Sequence, residues 1–254
     1  MCSLERRGRV FILTLTGDGE HCLSPDTISS IRNALSRAKS ESAASGGLGF
    51  ALVTAAEGRF FSNGFDLAWA RSGGSDSVAR ERLQSMGYLF RPLVADLLSL
   101  PMPTIAAVTG HAAAAGFMLA ICHDYVEMRA DRGFIYMSEI DVGIPFAPYT
   151  MALLRSKIPD PKVFREIVLE GKKIGATEAV AKGIIDRAHG SAKEAVEAAV
   201  RRAEELAARN WIGEIYCSIR KGSLPEICSA LGFPPETDED RVKLLSLSKS
   251  KSKL

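Results

Sequence analysis

The chain has 254 residues, which bounds it to one large domain or one domain with a helical appendage. Hydrophobic residues make up 46% and charged residues 24%, with 22 Gly and 11 Pro, a composition that excludes collagen-like, low-complexity and disordered chains. Thirty-two Lys and Arg against 30 Asp and Glu leave a net charge of +2, too balanced for sequence-independent nucleic-acid binding, so a small-molecule partner is expected and no nucleic acid.

Residues 1–9 are polar and basic and lack the apolar run of a secretory signal. Residues 10–16 are rich in β-formers and stop at Gly17-Asp18-Gly19, which predicts a first strand and a turn. Ser24-Pro25-Asp26 offers a cap with Pro in the first turn, and Ile28, Ile31, Leu35 and Ala38 follow at helical spacing. After Gly46-Gly47, residues 49–54 form a short apolar run suited to a strand buried on both faces. Past a loop through Gly64 and a Gly/Ser-rich stretch at 72–77, residues Leu83, Met86, Phe90, Leu93 and Leu97 mark one stripe of a long helix over 78–98.

Pro101 and Pro103 end that helix, residues 104–109 read as another strand, and the Ala-rich residues 112–122 read as a helix. Residues 104–122 approach the ~20 apolar residues of a membrane span. Gly110, His111 and Gly116 interrupt them, however, and a buried strand followed by a buried helix is expected instead of a span. Residues 125–129 and 134–137 predict two further short strands. This alternation implies right-handed crossovers and a largely parallel α/β sheet. From Tyr149 onward strand signals nearly vanish, and residues 163–169, 177–182 and 192–208 read as helices. The expected division is a core over 1–190, a helical region over 191–245 and a flexible tail over 246–254. Cysteines 2, 22, 122, 217 and 228 form no Cys-x-x-Cys pair, so neither a disulfide framework nor a metal site is expected.

Two loops could carry chemistry. Phe60-Phe61-Ser62-Asn63-Gly64-Phe65-Asp66-Leu67 and Gly110-His111-Ala112-Ala113-Ala114-Ala115-Gly116-Phe117 each follow a buried strand and lead into a helix. Small residues admit a ligand close to the backbone, and free N–H groups at a helix start attract negative charge. Converging, the two loops would make an oxyanion hole; considered singly, each is better explained by close packing.

Phe61 to Leu67, read as F-S-N-G-F-D-L, resembles the F-S/A-A/S-G-x-D-L/I loop of the crotonase, or enoyl-CoA hydratase/isomerase, superfamily. Residues 101–124 are similar to its P-x-P-x-I-A-x-V-x-G and G-x-x-L-A-x-x-x-D blocks, and Leu169-Glu170-Gly171, residues 176–178 and residues 183–186 to its later blocks. The resemblance covers roughly residues 10–190. It implies a crotonase-like core of repeated ββα units with a helical C-terminal region, assembled as a homotrimer or dimer of trimers, acting on acyl-CoA. No cofactor is implied, CoA being part of the substrate.

By the same resemblance, the backbone N–H groups of Phe65 and Ala115 form the oxyanion hole, and Asn63, Gly64, Phe65, Asp66, Leu67, Ala115 and Met118 border the substrate. Ala114-Ala115 stands where many members have Gly-Gly, a change that keeps the donor provided the dihedrals are not Gly-only. Hydratases of the family carry two Glu. Here the first position is Met118 and the second is Glu139, while the extra Asp of dienoyl-CoA isomerases is replaced by Ala147. One carboxylate and two backbone donors suffice for a 1,3 proton shift, so the resemblance implies a Δ3,Δ2-enoyl-CoA isomerase of fatty-acid β-oxidation with Glu139 as the catalytic residue. A thioesterase, a weak hydratase and a non-catalytic acyl-CoA binder are the alternatives.

Phe134, Met118, Ile140 and Ile144 are expected to surround Glu139 and raise its pKa. Asp141, two residues on, would face the same way in a strand and is expected to pair or cap. His111 reads as a loop residue that could touch the ligand, His123 as a cation suiting the end of its helix, and Cys122 as buried and inert. Ser252-Lys253-Leu254 has the form of a peroxisomal address, with an import receptor as partner.

Overall fold

A computed structural model describes residues 1–251, with side chains described through residue 247. The chain opens with β1 (Cys2–Arg7), antiparallel to β2 (Val10–Leu15), and α1 (Pro25–Ala44) follows with the Ser24 hydroxyl accepting from the Thr27 N–H at 3.2 Å. Three ββα units come next: β3 (Ala51–Ala56), β4 (Phe60–Ser62), α2 (Leu67–Arg71) and α3 (Asp76–Leu98); β5 (Thr104–Val108), β6 (His111–Ala113) and α4 (Ala115–Ile121); β7 (Tyr125–Arg129), β8 (Ile135–Tyr136) and α5 (Glu139–Val142). The remainder is helical, with α6 (Pro148–Lys157), α7 (Pro161–Val168), α8 (Ala176–Ala181), α9 (Ala192–Ala208), α10 (Gly213–Ser223), α11 (Pro225–Leu231) and α12 (Asp238–Lys251), interrupted by β9 (Arg187–His189).

The main sheet has the order β1-β2-β3-β5-β7-β9 and is parallel except at β1; a second sheet, β4-β6-β8, is parallel throughout. The period-2 alternation of a strand divides the core. Phe11, Leu13 and Leu15 of β2 face the larger cluster with α1, α3 and α4, whereas Val10 and Ile12 face the other way, onto Ala199, Ala203 and Ala207 of α9. Those alanines recur every four residues, and their small side chains let α9 lie close to the sheet. The packed core therefore extends past residue 190 into the region expected to be a separate helical part.

The C-terminal helices are tied down by charge as well as by packing. Arg220 of α10 is 5% exposed and donates to the carbonyls of Leu98, Leu100 and Met102 and to Asp124 Oδ2 at 2.6 Å. Asp124 in turn accepts from the Thr104 N–H at 2.9 Å and the Tyr216 hydroxyl at 3.2 Å.

Four expectations are corrected. β1 lies in the stretch read as merely polar, because Cys2 and Leu4 alternate inward between exposed neighbours. Residues 112 and 113 are strand and not helix: β6 pairs with β4 and β8, and that pairing overrides alanine's helix propensity. A strand, β9, closes the main sheet in the region where strand signals were faint. The backbone from residue 246, expected as a tail, continues α12 to Lys251, and Ser252, Lys253 and Leu254 lie outside the described residues. Among the described residues no helix is long and apolar enough to cross a membrane.

Candidate active site

The second sheet assembles the candidate site at its C-terminal edge. β4, β6 and β8 run parallel, so the residues just beyond them emerge on one side: Phe65 after β4, Ala115 after β6 and Glu139 after β8. The Ala114 N–H donates to the Tyr136 carbonyl at 2.9 Å, extending the β6–β8 ladder to the last residue before the helix.

The two loops meet at glycines. A Cβ on Gly64, which has φ +81°, would lie 2.9 Å from the Ala113 oxygen and 3.4 Å from the Ala115 nitrogen. A Cβ on Gly116 would lie 2.2 Å from the Ser62 oxygen. Only missing side chains let the start of α4 seat against the end of β4, and this contact sets the Ala115 amide beside Gly64, the residue before Phe65. Among the described residues neither amide takes part in a turn, loop or cap hydrogen bond, so both stay free to donate.

Ala114 answers the proviso about dihedrals. It holds φ +49° and ψ −121°, a region that favours glycine, whereas Ala115 is the first helical residue of α4. The Ala115 N–H survives the loss of Gly-Gly, at the expense of about 1–3 kcal/mol of backbone strain in its neighbour.

Glu139 opens α5, and its Oε2 is buried with no hydrogen-bond partner among the described residues. Burial pushes its carboxyl pKa up, opposed in part by its own N–H and that of Ser138. Two of the expected walls are wrong. Phe134 is 43% and Ile140 53% exposed, because the turn of α5 rotates Ile140 away and Phe134 precedes β8 at the far end of the strand. Asp141 does not share the side of Glu139 either: in a helix, residues two apart point to opposite sides. It is exposed and lies beside Gly171, whose Cβ would be 3.1 Å from its Oδ2.

Other candidates have structural places. Asp66 caps α2, accepting from the Trp69 N–H at 2.8 Å, and Asn63 donates to Glu20 Oε2 at 3.2 Å. Met118 is 3% exposed, in the same core cluster that the half-buried Phe65 packs against. His111 packs between the rings of Phe60 and Phe134 at the start of β6, the end away from Ala115. Its pKa is lowered, first by burial and then by Arg59, Arg132 and Lys173. His123 is not a dipole-stabilising cation: burial lowers its pKa to about 4, and its ring bridges the Leu119 carbonyl and the Thr54 hydroxyl. Cys122 is buried, its thiol pushed up to about 12 by burial. Among the described residues no group of His, Cys, Asp and Glu could hold a metal ion. His21, and the part that Ser62 plays in backing the first loop, were not legible in the sequence, because a single His and a single Ser in loops give no pattern to read.

The enoyl-CoA hydratase/isomerase family model matches residues 9–215. This chain belongs to that family. It is 55% identical over 234 residues to enoyl-CoA delta isomerase 2, peroxisomal, of Arabidopsis thaliana, covering 92% of this chain and 96% of the relative. Enoyl-CoA delta isomerase 1, peroxisomal, of the same plant is 49% identical, covering 89% and 91%. In fold the chain is similar to an enoyl-CoA hydratase, EchA3, from Mycobacterium marinum, with a TM-score of 0.78 at 22% identity over 91% of this chain and 94% of that one. The crotonase fold implied by the sequence blocks is thus the fold of the chain.

Proposed function

We propose that this family member is a monofunctional Δ3,Δ2-enoyl-CoA isomerase of the peroxisome, in which Glu139 carries one proton across a thioester held by the Phe65 and Ala115 amides. The observation that carries this reading is the asymmetry of the acids. Glu139 brings a buried, unpartnered carboxylate oxygen, while the other acid positions of the family hold the buried Met118 and the half-buried Ala147.

The chemistry follows from that inventory. Glu139 removes a proton from C2 of a 3-enoyl-CoA, the electrons delocalise into a dienolate, and the same carboxyl returns the proton at C4 to leave a trans-2-enoyl-CoA. Negative charge grows on the thioester oxygen in the dienolate, where two preorganised N–H groups stabilise the transition state more than the ground state. A carboxyl whose pKa burial has raised is suited both to accept and to donate. One C–H bond breaks and one forms, so the reaction balances without oxidant, reductant or water. Asn63, Gly64, Asp66 and Leu67 would border the CoA moiety. Phe134, Ile140, Val142 and Leu169 are exposed apolar residues that a homotrimer could cover.

The full-length enzyme supplied with 3-enoyl-CoA should form trans-2-enoyl-CoA and stop. Without a second carboxylate to activate water, 3-hydroxyacyl-CoA should form orders of magnitude more slowly, and mass spectrometry of the products decides it. Hydration as fast as isomerisation would defeat the one-acid reading; hydrolysis to free CoA would make the chain a thioesterase. For the compartment, the names of two Arabidopsis relatives and Ser252-Lys253-Leu254 give the same support. A fluorescent fusion ending at Leu254 should be peroxisomal and should turn cytosolic when those three residues are removed.

A further inference from the structure

We propose that His21 is a positioning residue for the oxyanion hole, fixing the direction of the Phe65 N–H from behind the loop. The proposal rests on the reading of that amide as an oxyanion donor.

The peptide unit is rigid. The Gly64 carbonyl and the Phe65 N–H belong to one planar trans peptide, so they point in opposite directions, and whatever holds the carbonyl aims the N–H. The Leu23 N–H holds it, at 2.7 Å. Leu23 is the last residue of a crossing segment that pairs with β4 and its loop along its whole length. The Phe60 N–H donates to the Gly19 carbonyl at 3.1 Å and the Asn63 N–H to the Glu20 carbonyl at 2.9 Å. The Ser62 hydroxyl donates to the His21 carbonyl at 2.8 Å and accepts from the Gly64 N–H at 3.3 Å.

His21 is the corner of this segment. Its backbone is left-handed, with φ +49°, which turns the chain from the Asp18-capped turn into line with Leu23. Its imidazole is 4% exposed and locks the corner by donating Nδ1–H to the Phe60 carbonyl at 3.0 Å. The other ring nitrogen, Nε2, is buried with no partner among the described residues. A strained backbone and an unsatisfied buried nitrogen both cost stability, and such costs persist where geometry serves a site. Asparagine adopts the left-handed region readily and could place an N–H where Nδ1–H stands; alanine can do neither.

The test uses the full chain, with His21→Ala, His21→Asn and Ser62→Ala beside the wild type. Steady-state kinetics with 3-enoyl-CoA should give His21→Ala a kcat about 10- to 100-fold lower, as for a misaimed oxyanion donor, with little change in KM. His21→Asn should restore most of the loss. Difference infrared spectroscopy of bound, carbonyl-labelled hexanoyl-CoA reports the hole without turnover. The wild type should lower the carbonyl stretch, His21→Ala should lose most of that lowering, and His21→Asn should keep it. If His21→Ala fails to fold, Ser62→Ala decides, because it cuts the link between the His21 carbonyl and Gly64 and should weaken the same signal. A full carbonyl shift and a kcat within about threefold of wild type in the folded variant would overturn the role of His21. A wild type that shifts the carbonyl yet does not isomerise would sink the isomerase reading alone. No shift in the wild type would overturn the oxyanion assignment and this proposal together.

Discussion

Glu139→Gln should make the protein more stable at neutral pH while abolishing turnover. The substitution keeps the shape of the side chain and removes its charge, and the relevant oxygen, Oε2, is buried without a partner. A neutral unsatisfied group costs about 1–3 kcal/mol when buried and a charged one more, so replacing carboxylate by amide should gain on the order of 1 kcal/mol. For a chain of this size that is about 2–4 °C in Tm. The sign depends on pH. Burial raises the folded-state pKa of Glu139 above its unfolded value, so the folded state holds the proton more tightly. The carboxyl therefore does not weaken the fold below the unfolded pKa, where both states are protonated, and its penalty grows as pH rises through the folded pKa. Thermal melts of wild type and variant should converge near pH 4 and separate near pH 8, with the variant higher. Turnover should fall by about 10²–10⁴, the usual contribution of a general acid–base, equal to roughly 3–5 kcal/mol of barrier. Acyl-CoA affinity should persist, since binding rests on backbone donors and loop shape. A variant less stable than wild type at pH 8 would refute the argument from the buried charge. Turnover within tenfold of wild type would move the base elsewhere, with the exposed Asp141 the first to test.

Gly116→Ala should cost at least about 10² in kcat, because its Cβ would sit 2.2 Å from the Ser62 oxygen and must push α4 away from β4; near-normal kinetics would show that the two loops need not touch. Ala114→Gly should stabilise the fold by roughly 0.5–2 kcal/mol, the relief of about 1–3 kcal/mol of strain less the extra freedom of the unfolded chain, measured by urea denaturation. A loss of stability would mean that φ +49° is not strained there. Arg220→Met should destabilise by about 3–5 kcal/mol, since it leaves Asp124 buried and three carbonyls without their donor, and Asp124→Asn on that background should recover part of the loss. A denaturation midpoint unchanged by Arg220→Met would remove the charge anchor of α10.

The elements legible in the sequence were those long enough to show a period. α1, α3 and α9 repeat their buried residues at helical spacing, and β2, β3 and β5 are apolar runs bounded by breakers. The candidate site residues could be named from motif blocks, since Gly64, Phe65, Ala115 and Glu139 sit at fixed offsets from recognisable stretches. The second sheet was not legible by period: strands of two or three residues have none, and Ala112-Ala113 alone favours a helix. Only pairing with β4 and β8, both distant in the chain, makes β6 a strand, and only the one-turn helix α5 turns Asp141 from Glu139. The left-handed corner at His21, the strain at Ala114 and the unpartnered Glu139 oxygen likewise arise from contacts between loops distant in the chain. Local periodicity records which face of an element is buried. The aim of an N–H or the isolation of a carboxylate depends on hydrogen-bond ladders and steric limits that exist only once those elements have packed.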